Sequence, residues 1–291
     1  MKTMITLFMI CTLLFTSFVA SAAEKDKDSK NPPPKSQGKK QSSKVVRSHD
    51  KKLSGLTLEW FDKAERRFDQ KVFDDTIVYT TRVIKIVPDY VPAYHLMGLA
   101  YIEKGRASWA HRDESDKKYK KYIHEFNKAI ESFSRIIELE PDNKDAYFYR
   151  GMSYRYLDYY PSLAIIDLNK CIDTFGVRTP VAFTERGIVY YQLGFIPEAI
   201  KDVKVAISID PNYEDAYINL MKAIDVRKEY VDAIEYFTTL TQSNPNSAFP
   251  WYYRGLSYYK SGDNASAASD FKKALHIYPD YEDAKKMLSK I

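Results

Sequence analysis

A stretch of about 34 residues recurs along most of this chain, and this internal repeat constrains the fold more than any other feature. Residues 250–280 align with residues 180–212, so that an aromatic residue, Arg-Gly, Tyr-Tyr, Gly, Ala, Asp and a terminal Pro fall in register. Residues 144–173 match with one extra residue in the turn, and residues 213–246 match without the Arg-Gly. This period predicts helix-turn-helix units that must stack to bury their apolar faces.

Residues of a few kinds recur at fixed places in each unit. An aromatic residue opens the first helix: Trp60, Tyr94, Tyr147, Phe183, Tyr217 and Trp251. A small residue four positions later lets two helices approach closely: Ala64, Gly98, Gly151, Gly187 and Gly255, with Met221 as the exception. The second helix carries another small residue: Ala129, Ala164, Ala199, Ala233 and Ala267, with Thr76 in the first unit. A proline, which cannot continue a helix, closes most units: Pro88, Pro141, Pro211, Pro245 and Pro279.

With these marks the sequence resembles the tetratricopeptide repeat family over about residues 57–281. The resemblance implies an all-α fold, a right-handed superhelical solenoid of about six helix-turn-helix repeats with a C-terminal capping helix. The expected units are 57–90, 91–143, 144–179, 180–213, 214–247 and 248–281, with a cap at 282–291. The second unit carries an insert at 106–124, which either extends its two helices or forms a protruding loop.

The N-terminus reads as an export signal. Lys2 precedes an apolar run from Met4 to Val19, and small residues allow cleavage after Ala22 or Ala23. We therefore expect a signal peptide at 1–23 and an exported protein, periplasmic or secreted and of bacterial type. An uncleaved membrane anchor is the alternative, because the run approaches spanning length.

Residues 24–52 form a basic segment, rich in Lys, Ser and Pro, that we expect to be a disordered linker before a solenoid at 53–291. The segment contains ten Lys and Arg against four Asp and Glu, a charge of +6, and Lys2 adds +1. Because the whole chain carries +5, residues 53–291 carry −2. This argues against nucleic-acid binding by the repeats. The segment itself could make weak contact with an anionic membrane or polymer.

Three repeats share an Arg on the first helix and an Asp on the second. The couples are Arg150 with Asp167, Arg186 with Asp202, and Arg254 with Asp270. The other three repeats lack both residues at these places. This covariation within one chain predicts a structural ion pair between the two helices of each of these repeats.

The family resemblance further implies that part of each first helix lines an inner groove that binds a protein or peptide. Exposed aromatic residues suit recognition because they supply contact area at low entropic cost. The predicted groove residues are Phe148, Tyr149, Met152, Arg155, Tyr156, Tyr191, Gln192, Asn219, Lys222, Tyr252, Tyr253, Leu256 and Tyr259. Packing of some of these side chains between neighbouring repeats is the alternative.

No phosphate-binding loop, nucleophile elbow or paired-histidine metal motif occurs in the sequence, so no catalytic residue, cofactor site or metal site is predicted. We therefore expect a non-enzymatic scaffold that binds a protein or peptide and supports assembly of an envelope or secreted complex. The alternative is binding of a glycan or cell-wall polymer, with the groove tyrosines as stacking platforms and the basic tail attracted to anionic polymer.

Overall fold

The computed structural model describes residues 53, 55–110, 117–157 and 159–291, and every regular element in this part of the chain is a helix. The predicted signal peptide and the predicted basic linker lie outside the described residues. The helices are α1 (Leu56–Asp69), α2 (Phe73–Ile86), α3 (Val91–Ala110), α4 (Lys117–Leu139), α5 (Lys144–Tyr156), α6 (Pro161–Asn169), α7 (Pro180–Gln192), α8 (Ile196–Ile209), α9 (Glu214–Arg227), α10 (Tyr230–Ser243), α11 (Ala248–Ser261), α12 (Asn264–Ile277) and α13 (Glu282–Leu288).

These helices form six pairs followed by a cap. Within a pair the two helices pack on each other, and the second helix of each pair packs on the first helix of the next. The all-α solenoid of six helix-turn-helix repeats with a C-terminal capping helix is therefore confirmed. None of the described helices is long and apolar enough to cross a membrane.

The repeat prolines set the ends of the second helices. Each helix that precedes a repeat proline stops two residues before it, as α8 does at Ile209 before Pro211. This follows because the residue before a proline is sterically driven out of the helical region. The carbonyl of that proline is then used by the next repeat. It accepts a hydrogen bond from the ring that opens the following first helix, in the pairs Tyr94–Pro88 (3.1 Å), Tyr147–Pro141 (3.2 Å), Tyr217–Pro211 (3.0 Å) and Trp251–Pro245 (3.4 Å).

The third repeat departs from this rule and ends differently. Its second helix, α6, runs into a π-helical turn over Lys170–Thr174, and the chain then turns at Gly176 with a φ of +67°. Glycine tolerates this left-handed conformation without a Cβ clash. The next repeat opens with Phe183, whose ring carries no hydrogen-bond donor. The third repeat thus lacks the proline carbonyl that accepts this hydrogen bond, and the fourth lacks the ring group that donates it. Both partners are missing at the same junction.

The small residues of the first helices sit where the two helices of a repeat touch. A Cβ added at Gly98 would lie 2.6 Å from Cζ of Phe133, and one added at Gly255 would lie 2.9 Å from Cε1 of Phe271. Both phenylalanine rings are fully buried. Each large side chain thus fills the space that the glycine leaves open, and this fit sets the distance between the helices.

The insert in the second repeat extends both of its helices. Helix α3 reaches Ala110 and α4 begins at Lys117, and residues 111–116 lie outside the described part. The extension adds to the core, because Tyr122 and Phe126 are buried. A Cβ on Gly105 would lie 2.9 Å from the Phe126 ring. Of the two interpretations of the insert, helix extension is the one observed.

Substitution of Gly98 by Ala should lower the free energy of unfolding by about 1–3 kcal/mol, because the new methyl group overpacks a filled core. The Phe133 ring cannot easily move away, since it stacks on Tyr149 with 5.4 Å between ring centroids. Urea unfolding followed by circular dichroism measures the loss.

The double variant Gly98→Ala with Phe133→Leu is the matched control. Because the leucine side chain is smaller, the two changes together should cost less than the sum of the single changes. Additive costs would show that the glycine is not required by the ring.

Candidate functional site

First helices of neighbouring repeats lie side by side and touch through polar contacts. Gln192 Nε2 on α7 donates to the Arg155 carbonyl on α5 at 3.5 Å. Further along, Lys260 Nζ on α11 donates to Asp225 Oδ2 on α9 at 2.8 Å. Helices α3 and α5, and α7 and α9, are also in contact, so α3, α5, α7, α9 and α11 form one continuous surface, which we call the first-helix face.

Eight of the predicted groove residues keep solvent exposure on these helices. They are Phe148, Tyr149, Tyr191, Gln192, Asn219, Lys222, Leu256 and Tyr259. Tyr191, Gln192 and Lys222 are exposed, and the other five are half-buried. The accessible part of the first-helix face is thus a mixture of phenol, amide, ammonium and apolar groups.

Four other predicted groove residues belong to the core instead. Met152 is 5% exposed, Tyr156 4%, Tyr252 8% and Tyr253 4%. The prediction that they line an open groove is wrong for these side chains, and they cannot contact a partner without rearrangement. The alternative reading, packing between neighbouring repeats, applies to them.

Ring stacking explains the burial of two of these tyrosines. Tyr156 lies parallel to Phe126, with ring centroids 4.5 Å apart, and so packs on the extended second helix of the preceding repeat. Tyr253 stacks on Tyr217 of the preceding first helix at 5.2 Å. Both partners are large aromatic residues from the adjacent repeat, and they leave no room for solvent.

Tyr252 is covered from the other side, by the cap. Its ring centroid lies 4.7 Å from that of Tyr281, the residue that precedes α13. The Tyr281 hydroxyl in turn donates to Glu214 Oε1 at 2.8 Å, across the whole of the sixth repeat. The sequence indicates that the cap begins like a repeat, because Tyr-Glu-Asp-Ala occurs both at 213–216 and at 281–284.

Arg155 was predicted to line the groove, but its guanidinium forms an ion pair within the protein. Its guanidinium donates to the carboxylate of Glu185 on α7 and lies 4.0 Å from the centroid of the Tyr156 ring. Only 10% of the Arg155 side chain and 11% of the Glu185 side chain are exposed. Burial alone would lower the pKa of Arg155, but the Glu185 carboxylate outweighs it, and the pKa is raised.

Glu185 is a site residue that sequence reasoning missed. At its place in the repeat, the neighbouring first helices carry Tyr149, Asn219 and Tyr253, so a charge there was a detectable exception. Near it lies Asp215, whose pKa is raised by burial and by repulsion from Glu185. The middle of the first-helix face is therefore more charged than the predicted aromatic groove.

The three Arg–Asp couples form ion pairs across the two helices of their repeats, as their covariation predicts. Each arginine donates from Nε and Nη2 to both oxygens of its aspartate. The distances are 2.7 and 2.8 Å for Arg150–Asp167, 2.6 and 2.9 Å for Arg186–Asp202, and 2.7 and 2.8 Å for Arg254–Asp270. This two-pronged geometry is the strongest form of the interaction.

The same arginines also reach the preceding repeat. Their Nη1 groups donate to the second helix before them, to Ser134 (3.2 Å), to Asp173 of the π-helical turn (2.9 Å) and to Thr238 (3.2 Å). With their charge satisfied on two sides, these arginines are structural residues of the repeat junctions and not ligand-binding groups.

The described residues contain no group of three or more His, Cys, Asp or Glu that could hold a metal ion. Cys171 is buried and makes no disulfide, and burial raises the pKa of its thiol to about 11. A thiol that is neutral and enclosed is a poor nucleophile.

Replacing Arg254 by Met should lower the free energy of unfolding by about 2–4 kcal/mol, because Asp270 would remain buried without its partner. Only 6% of the Asp270 side chain is exposed. Chemical denaturation of the full chain measures the effect.

The matched control is the double variant Arg254→Leu with Asp270→Tyr, which copies Leu220 and Tyr236 at the same places in the fifth repeat. It should be more stable than Arg254→Met, because no charge is left unpaired. An unchanged stability for Arg254→Met would refute the role of the pair.

Stability should also depend on the protonation of Glu214. Its pKa is raised above 4.5 by burial and by repulsion from Asp283 and Asp215, despite the hydrogen bond from Tyr281. A folded-state pKa above the unfolded one means that folding takes up a proton, so this group stabilises the fold as pH falls through that window. Glu214→Gln should therefore raise the melting temperature by about 1–2 °C at pH 7 and leave it almost unchanged near pH 4.

Glu214→Ala separates charge from hydrogen bonding, since it removes the acceptor of the buried Tyr281 hydroxyl. It should lower the melting temperature at both pH values. Thermal unfolding monitored by circular dichroism gives all the values, and a lower melting temperature for Glu214→Gln at pH 7 would contradict the charge argument.

Comparison with known proteins agrees with the repeat pattern. A family model for the tetratricopeptide repeat matches residues 248–281. Human tetratricopeptide repeat protein 13 is 29% identical over 167 residues, which are 56% of this chain and 19% of that protein. Human tetratricopeptide repeat protein 6 is 24% identical over 207 residues, 64% of this chain and 38% of that protein. This chain thus spans well under half the length of these relatives.

A solved structure shares the fold. The crystal structure of PilW, a type IV pilus biogenesis factor, superposes with a TM-score of 0.53 at 16% identity and covers 81% of this chain and 100% of that chain. At this identity the likeness concerns the fold alone. The stacked helix pairs, their small and aromatic marks and the matched family model together show that the chain belongs to the tetratricopeptide repeat family.

Proposed function

We propose that this protein is an exported, non-enzymatic scaffold that binds a protein or peptide on its first-helix face. The process it would serve is assembly of an envelope or secreted complex. Tetratricopeptide repeat proteins generally bind protein or peptide partners, and the repeats are typically scaffolds without catalytic activity. The export part of the proposal rests on the sequence of residues 1–23.

The observation that carries the proposal is the row of accessible side chains on adjacent first helices. Tyr191 and Gln192 on α7, Lys222 on α9, and Leu256 and Tyr259 on α11 follow one another along the first-helix face. Amide and phenol groups can hydrogen-bond to a peptide backbone, while the rings and Leu256 give apolar contact. This mixture suits a peptide better than a uniformly charged polymer.

The surface is also held in place before any partner arrives. Lys260 bonds to Asp225, Gln192 to the Arg155 carbonyl, and Arg155 to Glu185, so α11 is fixed to α9 and α5 to α7. A receptor that is already ordered loses little conformational entropy on binding, which favours affinity. The buried Arg155–Glu185 pair would fix the position of a bound partner along the face, because the partner must match the charges around the pair.

Site-specific photocrosslinking in the native host tests this proposal. A benzoylphenylalanine introduced at Tyr191 or at Tyr259 should give a discrete crosslinked protein adduct, which mass spectrometry identifies. The matched control positions are Tyr159 and Tyr278, which are 65% and 49% exposed but lie in connections outside the first helices. Adducts from the control positions alone would place the site elsewhere and defeat the proposal.

The full chain with Tyr191→Ser, Gln192→Ala and Lys222→Glu provides the loss-of-binding arm. The variant should lose the adduct at position 259, and its melting temperature, measured on the same preparation, shows whether the fold is kept. Fractionation of the same cells separately tests export, because a protein retained in the cytoplasm would contradict that part only.

Glycan or cell-wall polymer binding is the second candidate. Its support is weaker than the sequence suggested, because stacking on a sugar needs open ring faces and Tyr156, Tyr252 and Tyr253 are buried. Co-sedimentation of the full chain with insoluble cell-wall polymer, in the absence of any protein adduct at position 191, would favour this candidate over the first.

A further inference from the structure

Each repeat contains a slot between its two helices, beside the aromatic residue that opens the first helix. Two further residues decide what fills this slot, one on the first helix and one on the second. In the third, fourth and sixth repeats these two are the Arg–Asp pair, and the guanidinium lies beside the opening ring. For example, the guanidinium carbon of Arg254 lies 4.8 Å from the centroid of the Trp251 ring.

In the first and fifth repeats the residue at the second-helix place is a tyrosine. Tyr236 of the fifth repeat packs on Phe237 at 5.5 Å, and burial raises the pKa of its hydroxyl to about 12. Tyr79 of the first repeat is half-buried, and the Arg82 guanidinium carbon lies 5.4 Å from the centroid of its ring and 5.8 Å from that of the Trp60 ring. The residue at the facing place on the first helix is Leu220 in the fifth repeat and Lys63 in the first, and Lys63 is paired with Glu59 of its own helix at 2.6 Å.

The second repeat has neither filler. At the two deciding places it carries Met97 and Ser132, so the second helix supplies only a hydroxymethyl group. A pocket of about 270 Å³ opens there, lined by Tyr94, Met97, Tyr101, Lys128, Glu131 and Ser132. An apolar cavity of about 150 Å³ is enough to admit benzene, so this pocket has room for an aromatic ring.

The chemistry of the lining selects among possible occupants. Tyr94 and Tyr101 supply ring faces and edges, and the thioether of Met97 makes favourable contacts with aromatic groups. Ser132 lines the pocket and its hydroxyl donates to the Lys128 carbonyl at 2.8 Å, so its oxygen can still accept a hydrogen bond. A phenol could donate a hydrogen bond to that oxygen.

A guanidinium is a poorer occupant. In the three repeats that hold one, an aspartate accepts two of its N–H groups, whereas Ser132 stands in that position here. At the rim, Glu131 is already paired with Lys128 at 2.7 Å. The first and fifth repeats, which also lack the aspartate, carry a tyrosine at its place.

We infer that the pocket of the second repeat binds an aromatic side chain, tyrosine above all, presented by a protein partner. The partner would complete this repeat by inserting the ring that Tyr79 and Tyr236 supply elsewhere in the chain. The pocket shares no lining residue with the predicted groove. It is therefore a second contact point, and it is tested separately from Tyr191 and Tyr259.

The test uses p-cresol, the side chain of tyrosine, as the probe on the full chain. Titration should shift the NMR signal of the Met97 ε-methyl group, assigned from a Met97→Leu spectrum, with a dissociation constant on the order of 1 mM. Ser132→Tyr plugs the slot with the residue used in the first and fifth repeats. It should abolish the shift while leaving the melting temperature unchanged or higher.

A gain-of-site variant makes the result independent of the plug. Tyr236→Ser in the fifth repeat recreates the arrangement of the second repeat, so the folded variant should bind two p-cresol molecules and not one. If Ser132→Tyr does not fold, Ser132→Leu is the substitute plug.

The inference is overturned if the Met97 signal stays fixed up to the solubility limit of p-cresol. It is equally overturned if the signal shifts as much in a folded plugged variant as in the wild type. Neither result would affect the crosslinks expected from Tyr191 and Tyr259.

Discussion

This structure depends on the close approach of two helices at a glycine, where no side chain separates them. Gly98 and Gly255 leave space that Phe133 and Phe271 fill, and the same arrangement recurs at Gly151 and Gly187. Because this fit is made within four of the six repeats, helix spacing there is set locally, and the fifth repeat, with Met221, is the exception. Polar ties between repeats can then recur at equivalent places, as the three arginine contacts with the preceding repeat do.

The features that repeat within one unit were predictable from the sequence. The helix ends at the prolines, the glycine positions and the Arg–Asp pairs all depend on residues in the same unit or immediately after it, so their spacing is fixed. Burial of the groove residues was not predictable in the same way. Tyr156, Tyr252 and Tyr253 are covered by rings of other units, and that coverage depends on how repeats stack.

The first-helix face carries its charges in an unusual place, at the middle and partly buried. The Arg155–Glu185 pair is surrounded by Tyr156, Asp215 and the neighbouring helices, where an apolar pair would pack as well. Buried ion pairs add little net stability compared with apolar residues of the same volume. Their directional bonds instead select one alignment of the third repeat on the fourth. A partner on this face would thus meet a surface with fixed charge positions.

The outer N–H groups of the three arginines have a mechanical consequence. They cross the junctions between repeats two and three, three and four, and five and six, where directional hydrogen bonds resist sliding. At the junction of repeats four and five, Leu220 occupies the arginine's place, and its contacts are apolar and without direction. Bending of the solenoid should therefore be easier at this junction than at the three that an arginine crosses. A bend there would change the curvature of the first-helix face without breaking an Arg–Asp pair.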